Sequence, residues 1–201
     1  RFRGMFAFAL WDRNRQTLFM ARDRLGVKPL HWAQLPNGAV LFGSELKTIT
    51  VHPDFPREMD ERAIEDYFAF GYIPDPRTIY KQAHKLAPAH TLLWKVGEPA
   101  PRIARYWDVS FEPNGKLTLT DACEQLREKL TESVKLRMIS EVPLGAFLSG
   151  GVDSSAVVAA MAGLSDSPVK TCSIGFDVAS YNESEFAKMV AERYRTDHYT
   201  E

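Results

Sequence analysis

The eight residues Leu148 to Ser155, Leu-Ser-Gly-Gly-Val-Asp-Ser-Ser, lie between an apolar run and a run of small residues. The apolar run, 142–148, predicts a buried strand, and the small residues, 156–162, predict a helix. The paired glycines between them predict a tight turn, because a residue without a Cβ adopts backbone conformations that are closed to others. The sequence therefore predicts a strand, a glycine turn and a helix in that order.

This turn has the properties of an anion-binding loop. The first backbone N–H groups of a helix have no intrahelical acceptor, and the positive end of the helix dipole lies behind them. Phosphate is the usual ligand of such a turn, and the hydroxyls of Ser149, Ser154 and Ser155 would add donors. The carboxylate of Asp153 would be unfavourable beside phosphates unless a cation bridged them, so Asp153 predicts a bound Mg²⁺.

The loop also indicates which phosphate chemistry to expect. It has no lysine at the place required by G-x-x-x-x-G-K-[ST], which argues against transfer of a terminal phosphoryl group. Residues 149–154 instead resemble the pyrophosphate loop of the ATP pyrophosphatases, which adenylate a substrate and release pyrophosphate. That group includes asparagine, argininosuccinate, GMP and NAD synthetases and tRNA-thiolating enzymes. The alternative is a chance Ser/Gly turn ahead of a helix.

Composition argues against several function classes. The 201 residues have a net charge of −1, with 45% hydrophobic and 25% charged residues, which gives no electrostatic footprint for nucleic acid or an anionic membrane. No apolar run approaches the ~20 residues needed to span a bilayer. Cys123 and Cys172 have neither disulfide-framework nor metal-site spacing, which fits the cytoplasm. The chain starts without a methionine and stops within a pattern, so we expect a piece of a longer protein.

The first part of the chain predicts antiparallel strands. Apolar runs at 5–11 and 17–21 flank a polar turn and predict a hairpin, and residues 39–42 predict a third strand. Three stretches here, GMFAFALWD, LFMARDRLGVKPLHW and LFGSELKTI, resemble the last third of the glutamine amidotransferase domain of the glutamine-hydrolysing asparagine synthetase family. The resemblance implies an αββα sandwich whose nucleophilic cysteine lies upstream, so no catalytic residue is assigned within this chain.

Two other features of the chain have structural rather than chemical interpretations. Arg22, Asp23, Gly26 and Pro29 are interpreted as architectural, because a bend and an Arg–Asp pair explain them without chemistry. Cys123 lies inside a helical pattern, where we expect a buried and inert thiol.

The middle of the chain predicts one helix and then extended segments. Asp60 is a candidate N-cap, and 71–76 would end the helix. Residues 78–95 are expected to be extended, and "RYWDV" at 105–109, with the stretch before it, resembles the segment between the family's two catalytic domains. An interface core is the favoured interpretation of its aromatic residues and a binding surface the alternative: Tyr67, Phe68, Phe70, Tyr72, Trp94, Tyr106 and Trp107.

The last part predicts alternating helices and strands. Asp121 with Glu124, and Asn182 with Glu185, are candidate capping boxes that open two helices. Strands are predicted at 142–148, 169–176 and from His198, which implies a parallel, doubly wound sheet. Ligands of such sheets bind at the carboxyl ends of the strands, where Leu148 and Ile174 lie. These two side chains could clamp an adenine ring or simply pack in the core.

The resemblance gives the following expectations. Residues 1–58 would end an amidotransferase domain, 59–116 would form a connecting and interface segment, and 117–201 would begin a synthetase domain of the ATP-pyrophosphatase fold, making the chain α/β plus α+β. The residues expected to bind ATP or pyrophosphate are Leu148, Ser149, Gly150, Gly151, Val152, Asp153, Ser154, Ser155 and Ile174, with Asp153 as the metal ligand.

The function implied is that of a cytoplasmic, glutamine-hydrolysing asparagine synthetase. Its substrates would be aspartate, glutamine and ATP with Mg²⁺, and it would have no nucleic-acid or membrane partner; a homodimer is compatible with this. Two alternatives stay open. One is a related ligase acting on another carboxylate, such as a β-lactam precursor, a peptide or a sugar-linked acid. The other is a non-catalytic paralogue that binds nucleotide. The piece alone is expected to be inactive.

Overall fold

The fold is described from a computed structural model, which covers residues 2–113, 115–178 and 182–201. The chain divides into two compact units, residues 1–112 and 113–201. Each unit has its own strands, helices and hydrophobic core, and each is described separately.

The first unit is built from antiparallel strands. Its elements are β1 (Ala7–Asp12), β2 (Thr17–Arg22), β3 (His31–Gln34), β4 (Val40–Gly43), α1 (Leu46–Thr50), α2 (Glu61–Phe70), β5 (Ala83–Lys85), β6 (His90–Lys95) and β7 (Arg102–Arg105). They form two sheets, in the orders β1-β2-β6-β7 and β4-β3-β5. The predicted hairpin is confirmed as β1 and β2, and the predicted third strand as β4. The sequence analysis did not predict β3 or α1.

The two sheets and α1 form successive layers. Leu18, Met20 and Leu92 of the first sheet share a core with Leu30 and Leu86. A second core joins side chains of the other sheet to α1; it consists of Ala33, Leu35, Ile49, Phe55 and Ala83. Among the described residues this gives sheet, sheet and helix, with no helical layer over the outer face of the first sheet. That outer face has a phenylalanine cluster, with ring centroids of Phe8 and Phe19 at 6.0 Å.

Arg22 is architectural, but its acidic partner is not the one expected. The guanidinium, on a residue only 8% exposed, donates to Asp75 Oδ2 at 2.9 Å and to the carbonyl of Leu86 at 2.7 Å. It also reaches the carbonyl of Gly26 at 2.8 Å. The expected pair with Asp23 is therefore wrong, since Arg22 bonds to groups that come from three other parts of the chain.

Asp23 organises the bend that follows β2. Its carboxylate accepts hydrogen bonds from the backbone N–H groups of Phe6, Leu25, Val27 and Lys28. Burial alone would raise the pKa of this carboxyl, but the four amide bonds outweigh it and hold the pKa below its usual 3.8. Gly26 is needed in the bend because its φ is +66° and a Cβ there would lie 2.7 Å from Pro88 Cγ.

In the structure, residues 59–112 form part of the first unit. Strand β5 pairs with β3, β6 with β2, and β7 with β6. These ladders, which a linear sequence does not specify, make the segment part of both sheets. The helix prediction is confirmed, since Asp60 caps α2 and Gly71 ends it at φ 77°. Five of the aromatic side chains expected in an interface core are exposed in this chain: Tyr67, Phe68, Phe70, Tyr72 and Tyr106.

The second unit is a parallel sheet with helices. Its elements are α3 (Leu119–Arg137), β8 (Gly145–Phe147), α4 (Val152–Leu164), β9 (Lys170–Ser173), α5 (Ser184–Tyr194) and β10 (Asp197–Thr200). The predicted parallel pairing is confirmed. The strands lie in the order β10-β9-β8, which is chain order, so the part of the unit that the structure describes lacks the reversal of a doubly wound sheet.

The helices of this unit begin differently from the prediction. Thr118, and not Asp121, caps α3; its hydroxyl accepts from the Asp121 N–H, and the Asp121 side chain is the other half of the capping box. The box expected from Asn182 and Glu185 is not formed, because the N-cap of α5 is Glu183 and its side chain makes no capping bond. The Asn182 side chain instead accepts from the N–H of Ser184 at 3.1 Å. Cys123, expected to be buried, is exposed on α3.

Hydroxyl groups and one imidazole connect β9 to β10 beneath the helices. Thr171 is 2% exposed, and its Oγ1 lies 2.8 Å from both Thr196 Oγ1 and His198 Nδ1. Ser173 Oγ lies 3.1 Å from Thr200 Oγ1. This polar ladder fixes the register of two parallel strands. Over the described residues, none of the helices combines the length and hydropathy required to cross a membrane.

Candidate functional site

The glycine turn lies where the sequence placed it, between β8 and α4. The N–H of Leu148 donates to the carbonyl of Cys172 at 2.8 Å, which extends the parallel ladder to the start of the turn. Gly150 then adopts φ +81°, and Gly151 is the extended N-cap of α4. The turn therefore begins at the carboxyl end of the central pairing, the edge at which parallel sheets bind ligands.

Several backbone donors of the turn are available to a ligand. The N–H of Ser155 bonds to the carbonyl of Gly151 at 3.0 Å, which is the first hydrogen bond of α4. The three amides ahead of it, those of Val152, Asp153 and Ser154, therefore have no intrahelical acceptor. Together with the helix dipole they favour an anion at this end of α4.

The serine hydroxyls mainly hold the shape of the loop. Ser149 Oγ and Ser154 Oγ lie 3.0 Å apart, Ser149 Oγ accepts from the Gly151 N–H at 3.3 Å, and Ser154 Oγ donates to the Gly151 carbonyl at 3.2 Å. Ser155 Oγ is buried and has no hydrogen-bond partner within the described residues. The backbone amides of the loop, more than the serine hydroxyls, are therefore placed to donate hydrogen bonds to an anion.

A cavity of about 380 Å³ opens beside the turn at the ends of β8 and β9. It is lined by Phe147, Leu148, Ser149, Ser154, Cys172, Ser173, Ile174, Phe176 and Glu183. Four of the predicted site residues are in this wall: Leu148, Ser149, Ser154 and Ile174. The other five lie outside the wall, on the turn and the first turns of α4: Gly150, Gly151, Val152, Asp153 and Ser155.

Leu148 and Ile174 differ in what they can offer a ligand. Leu148 is 1% exposed and packs with Val158, Ala187 and Ala191, so most of its side chain belongs to the core. Ile174 is 58% exposed and is free to pack against a planar group. The two halves of the predicted adenine clamp are therefore unequal.

Asp153 occupies the exposed first turn of α4. No group of three or more His, Cys, Asp or Glu side chains gathers into a metal site anywhere in the described residues. A cation at Asp153 would accordingly take one carboxylate from this chain and its remaining ligands from phosphate oxygens and water, which is a usual arrangement for Mg²⁺.

The sequence analysis missed five residues of the cavity wall: Phe147, Cys172, Ser173, Phe176 and Glu183. The rule that ligands bind at the carboxyl ends of parallel strands could have found those around β8 and β9. Glu183 had no such signal, because it follows a long connection and begins the next helix.

Comparison with known proteins agrees with this division of the chain. Residues 1–107 match the model of a glutamine amidotransferase domain, and residues 125–201 match the model of asparagine synthase. The chain belongs to the glutamine-hydrolysing asparagine synthetase family. The amidotransferase match falls in the first unit, and the asparagine synthase match contains the glycine turn and the cavity.

Individual relatives within this family and near it are similar over most of the chain. A putative asparagine synthetase [glutamine-hydrolyzing] 2 of Methanocaldococcus jannaschii is 38% identical over 98% of this chain and 38% of its own length. Asparagine synthetase [glutamine-hydrolyzing] 3 of Bacillus subtilis is 38% identical over 87% of this chain and 28% of its own. Amidase chyE of Penicillium rubens is 35% identical over 81% of this chain and 24% of its own. The chain thus spans well under half of each relative.

Proposed function

We propose that the full-length protein is a glutamine-hydrolysing asparagine synthetase with an ATP-pyrophosphatase synthetase domain. It would join aspartate to ATP as β-aspartyl-AMP with release of pyrophosphate, and ammonia from glutamine would displace AMP to give asparagine. The observation that carries this proposal is the glycine turn, with its unbonded helix amides beside a cavity, inside the asparagine synthase match.

Each part of the turn has a role in this reaction. The amides of Val152, Asp153 and Ser154 would bind the departing pyrophosphate and stabilise the charge that develops on it. The carboxylate of Asp153 would hold Mg²⁺, which supplies neutralisation of the phosphate charge when bound. Ile174 would pack against the adenine. The glutaminase nucleophile would come from a part of the protein upstream of this chain.

One relative favours a second candidate. Amidase chyE matches this chain almost as well as the synthetases do. The same fold and loop therefore also fit a related ligase that amidates a different carboxylate. An assay of the full-length protein separates the two. Aspartate-dependent formation of AMP supports asparagine synthesis, and AMP formation that needs a different carboxylate supports the second candidate.

The test of the loop is exchange between ATP and labelled pyrophosphate. Asp153→Ala in the full-length protein is expected to abolish exchange in the presence of aspartate and Mg²⁺, because the metal then lacks its carboxylate. Asp166→Ala, which changes an exposed aspartate beyond the end of α4, is the matched control and is expected to leave exchange intact. Exchange by Asp153→Ala near the wild-type rate would show that the metal role is wrong.

The proposal also includes the cellular setting. We expect a cytoplasmic enzyme whose partners are small molecules, with no nucleic-acid or membrane partner. A homodimer is a separate prediction, and sedimentation equilibrium of the full-length protein tests it.

A further inference from the structure

The cavity beside the glycine turn has one charged residue among the described residues of its wall, Glu183. The rest of the wall is apolar on the side of Phe147, Ile174 and Phe176, and carries hydroxyls on the side of Ser149. Glu183 is exposed, so water solvates its carboxylate in the free protein, and a ligand that displaces this water has to offer a hydrogen-bond donor in its place. The ligand that fills the cavity can supply one.

The Glu183 side chain is not committed elsewhere in the described residues. It is the N-cap of α5, yet it makes no capping hydrogen bond, and its carboxylate has no ion pair or hydrogen bond within the parts of the chain that the structure describes. The residue is also held close to the glycine turn, because Gly150 packs against the first turn of the same helix at Phe186 and Ala187.

The charge of Glu183 decides which part of a nucleotide can face it. A carboxylate repels the phosphates, whereas the amides at the start of α4 attract them. A ribose carries two neutral O–H donors on adjacent carbons, placed between the base and the phosphates. In other parallel-sheet folds a carboxylate beyond a strand end accepts from ribose hydroxyls in this way.

We propose that the Glu183 carboxylate accepts hydrogen bonds from the 2′- and 3′-hydroxyls of the ATP ribose, which rests on the proposed function of this site. Glu183 then fixes the direction of the nucleotide, with the sugar at α5 and the pyrophosphate on the turn. It would also discriminate against deoxynucleotides, because they lack the hydroxyls that donate to the carboxylate.

The test measures binding to the full-length protein by calorimetry with Mg²⁺ present. The three probes are ATP, 2′,3′-dideoxy-ATP and inorganic pyrophosphate. Glu183→Ala is expected to weaken ATP binding by about tenfold, since two charge-assisted hydrogen bonds are lost. Its affinity for dideoxy-ATP is expected to equal that of the wild type, and its affinity for pyrophosphate to be unchanged or higher.

Two further variants keep the result interpretable. Glu185→Ala removes the same charge two residues further along the chain, in the first turn of α5, and is expected to leave all three affinities unchanged. Glu183→Gln preserves the side-chain shape and is expected to weaken ATP binding selectively with no change in thermal unfolding.

Three outcomes would overturn the inference. Equal loss of ATP and pyrophosphate binding in Glu183→Gln would mean that the carboxylate acts on the cation. Unchanged ATP binding in both Glu183 variants would mean that there is no contact with the ribose. A wild-type protein that binds neither ATP nor pyrophosphate would overturn the proposed function itself, which is a different result from the first two.

Discussion

Gly150 lies directly against Phe186: a Cβ built on Gly150 would be 2.4 Å from Phe186 Cβ and 2.5 Å from its carbonyl carbon. The turn between β8 and α4 thus rests on the backbone of α5, the helix that begins after the next strand. This contact explains why a glycine is needed there independently of its positive φ. It also means that the position of the turn depends on the position of α5.

Gly150→Ala is expected to lower both the stability of the second unit and the affinity for pyrophosphate. The φ of +81° costs an L-residue about 1–2 kcal/mol, and the overlap with the α5 backbone must be relieved by moving the turn. Thermal unfolding followed by circular dichroism, together with pyrophosphate calorimetry, measures both effects.

Gly163→Ala is the matched control for that change. Gly163 is in α4 and a Cβ there would meet nothing within 4 Å. Because alanine favours a helix over glycine, this variant is expected to gain about 0.5–1 kcal/mol. A Gly150→Ala protein with wild-type stability and affinity would contradict the proposed packing of the turn on α5.

Asp23 predicts how the first unit responds to acid. Its carboxyl has a folded-state pKa below the usual 3.8, so its amide bonds contribute fully above that pH and their contribution is lost as the pH falls through the lower folded-state value. The stability advantage of the wild type over Asp23→Asn is therefore expected at neutral pH and should shrink in strong acid.

Urea unfolding of the 201-residue chain at about pH 6 and about pH 2.5 measures this difference. Tryptophan fluorescence is the suitable probe, because all four tryptophans lie in residues 1–112. A stability difference that stays constant between the two pH values would show that the carboxylate does not titrate differently in the folded state.

Thr171→Val is expected to destabilise the second unit by about 1–3 kcal/mol, because it leaves partly buried partners without their hydrogen bonds. The partners are His198 Nδ1 and Thr196 Oγ1, each 2.8 Å from Thr171 Oγ1. Valine fills almost the same volume, so packing changes little. Thr120→Val, at an exposed position of α3, is expected to stay within about 0.5 kcal/mol of the wild type. Equal effects of the two substitutions would rule out the hydroxyl's contribution.

Local signals in the sequence predicted local structure well. The β1–β2 hairpin, the capping of α2 by Asp60 and the order of strand, turn and helix at Gly150 all depend on neighbouring residues, and all three are confirmed. The buried strand predicted at 142–148 is wrong in length and burial, because β8 covers only Gly145–Phe147 and two of its three residues are exposed. The start of α3 was displaced because Thr118 and Asp121 can both cap, and the threonine one turn earlier does so. When two residues three positions apart can both serve as the N-cap, the sequence pattern alone does not show which of them does.

The sequence patterns did not predict contacts between residues that are far apart in the chain. Arg22 pairs with Asp75, 53 positions along the chain, rather than with its neighbour. The pairing of β5 with β3 and of β6 with β2 is also a contact between distant parts of the chain, and it was not predicted either. In the candidate site, the loop residues were found from their spacing, whereas Glu183 entered the cavity wall only through the packing of α5, which no spacing rule describes.

The mutual hydrogen bond of Ser149 and Ser154 has a thermodynamic consequence. Because the two hydroxyls restrain each other during folding, the turn has little conformational freedom left to surrender when an anion arrives. The turn would therefore be preorganised for binding, and the protein would lose little conformational entropy when the anion binds. Because the N–H dipoles are fixed in position, their spacing would determine which anions bind best.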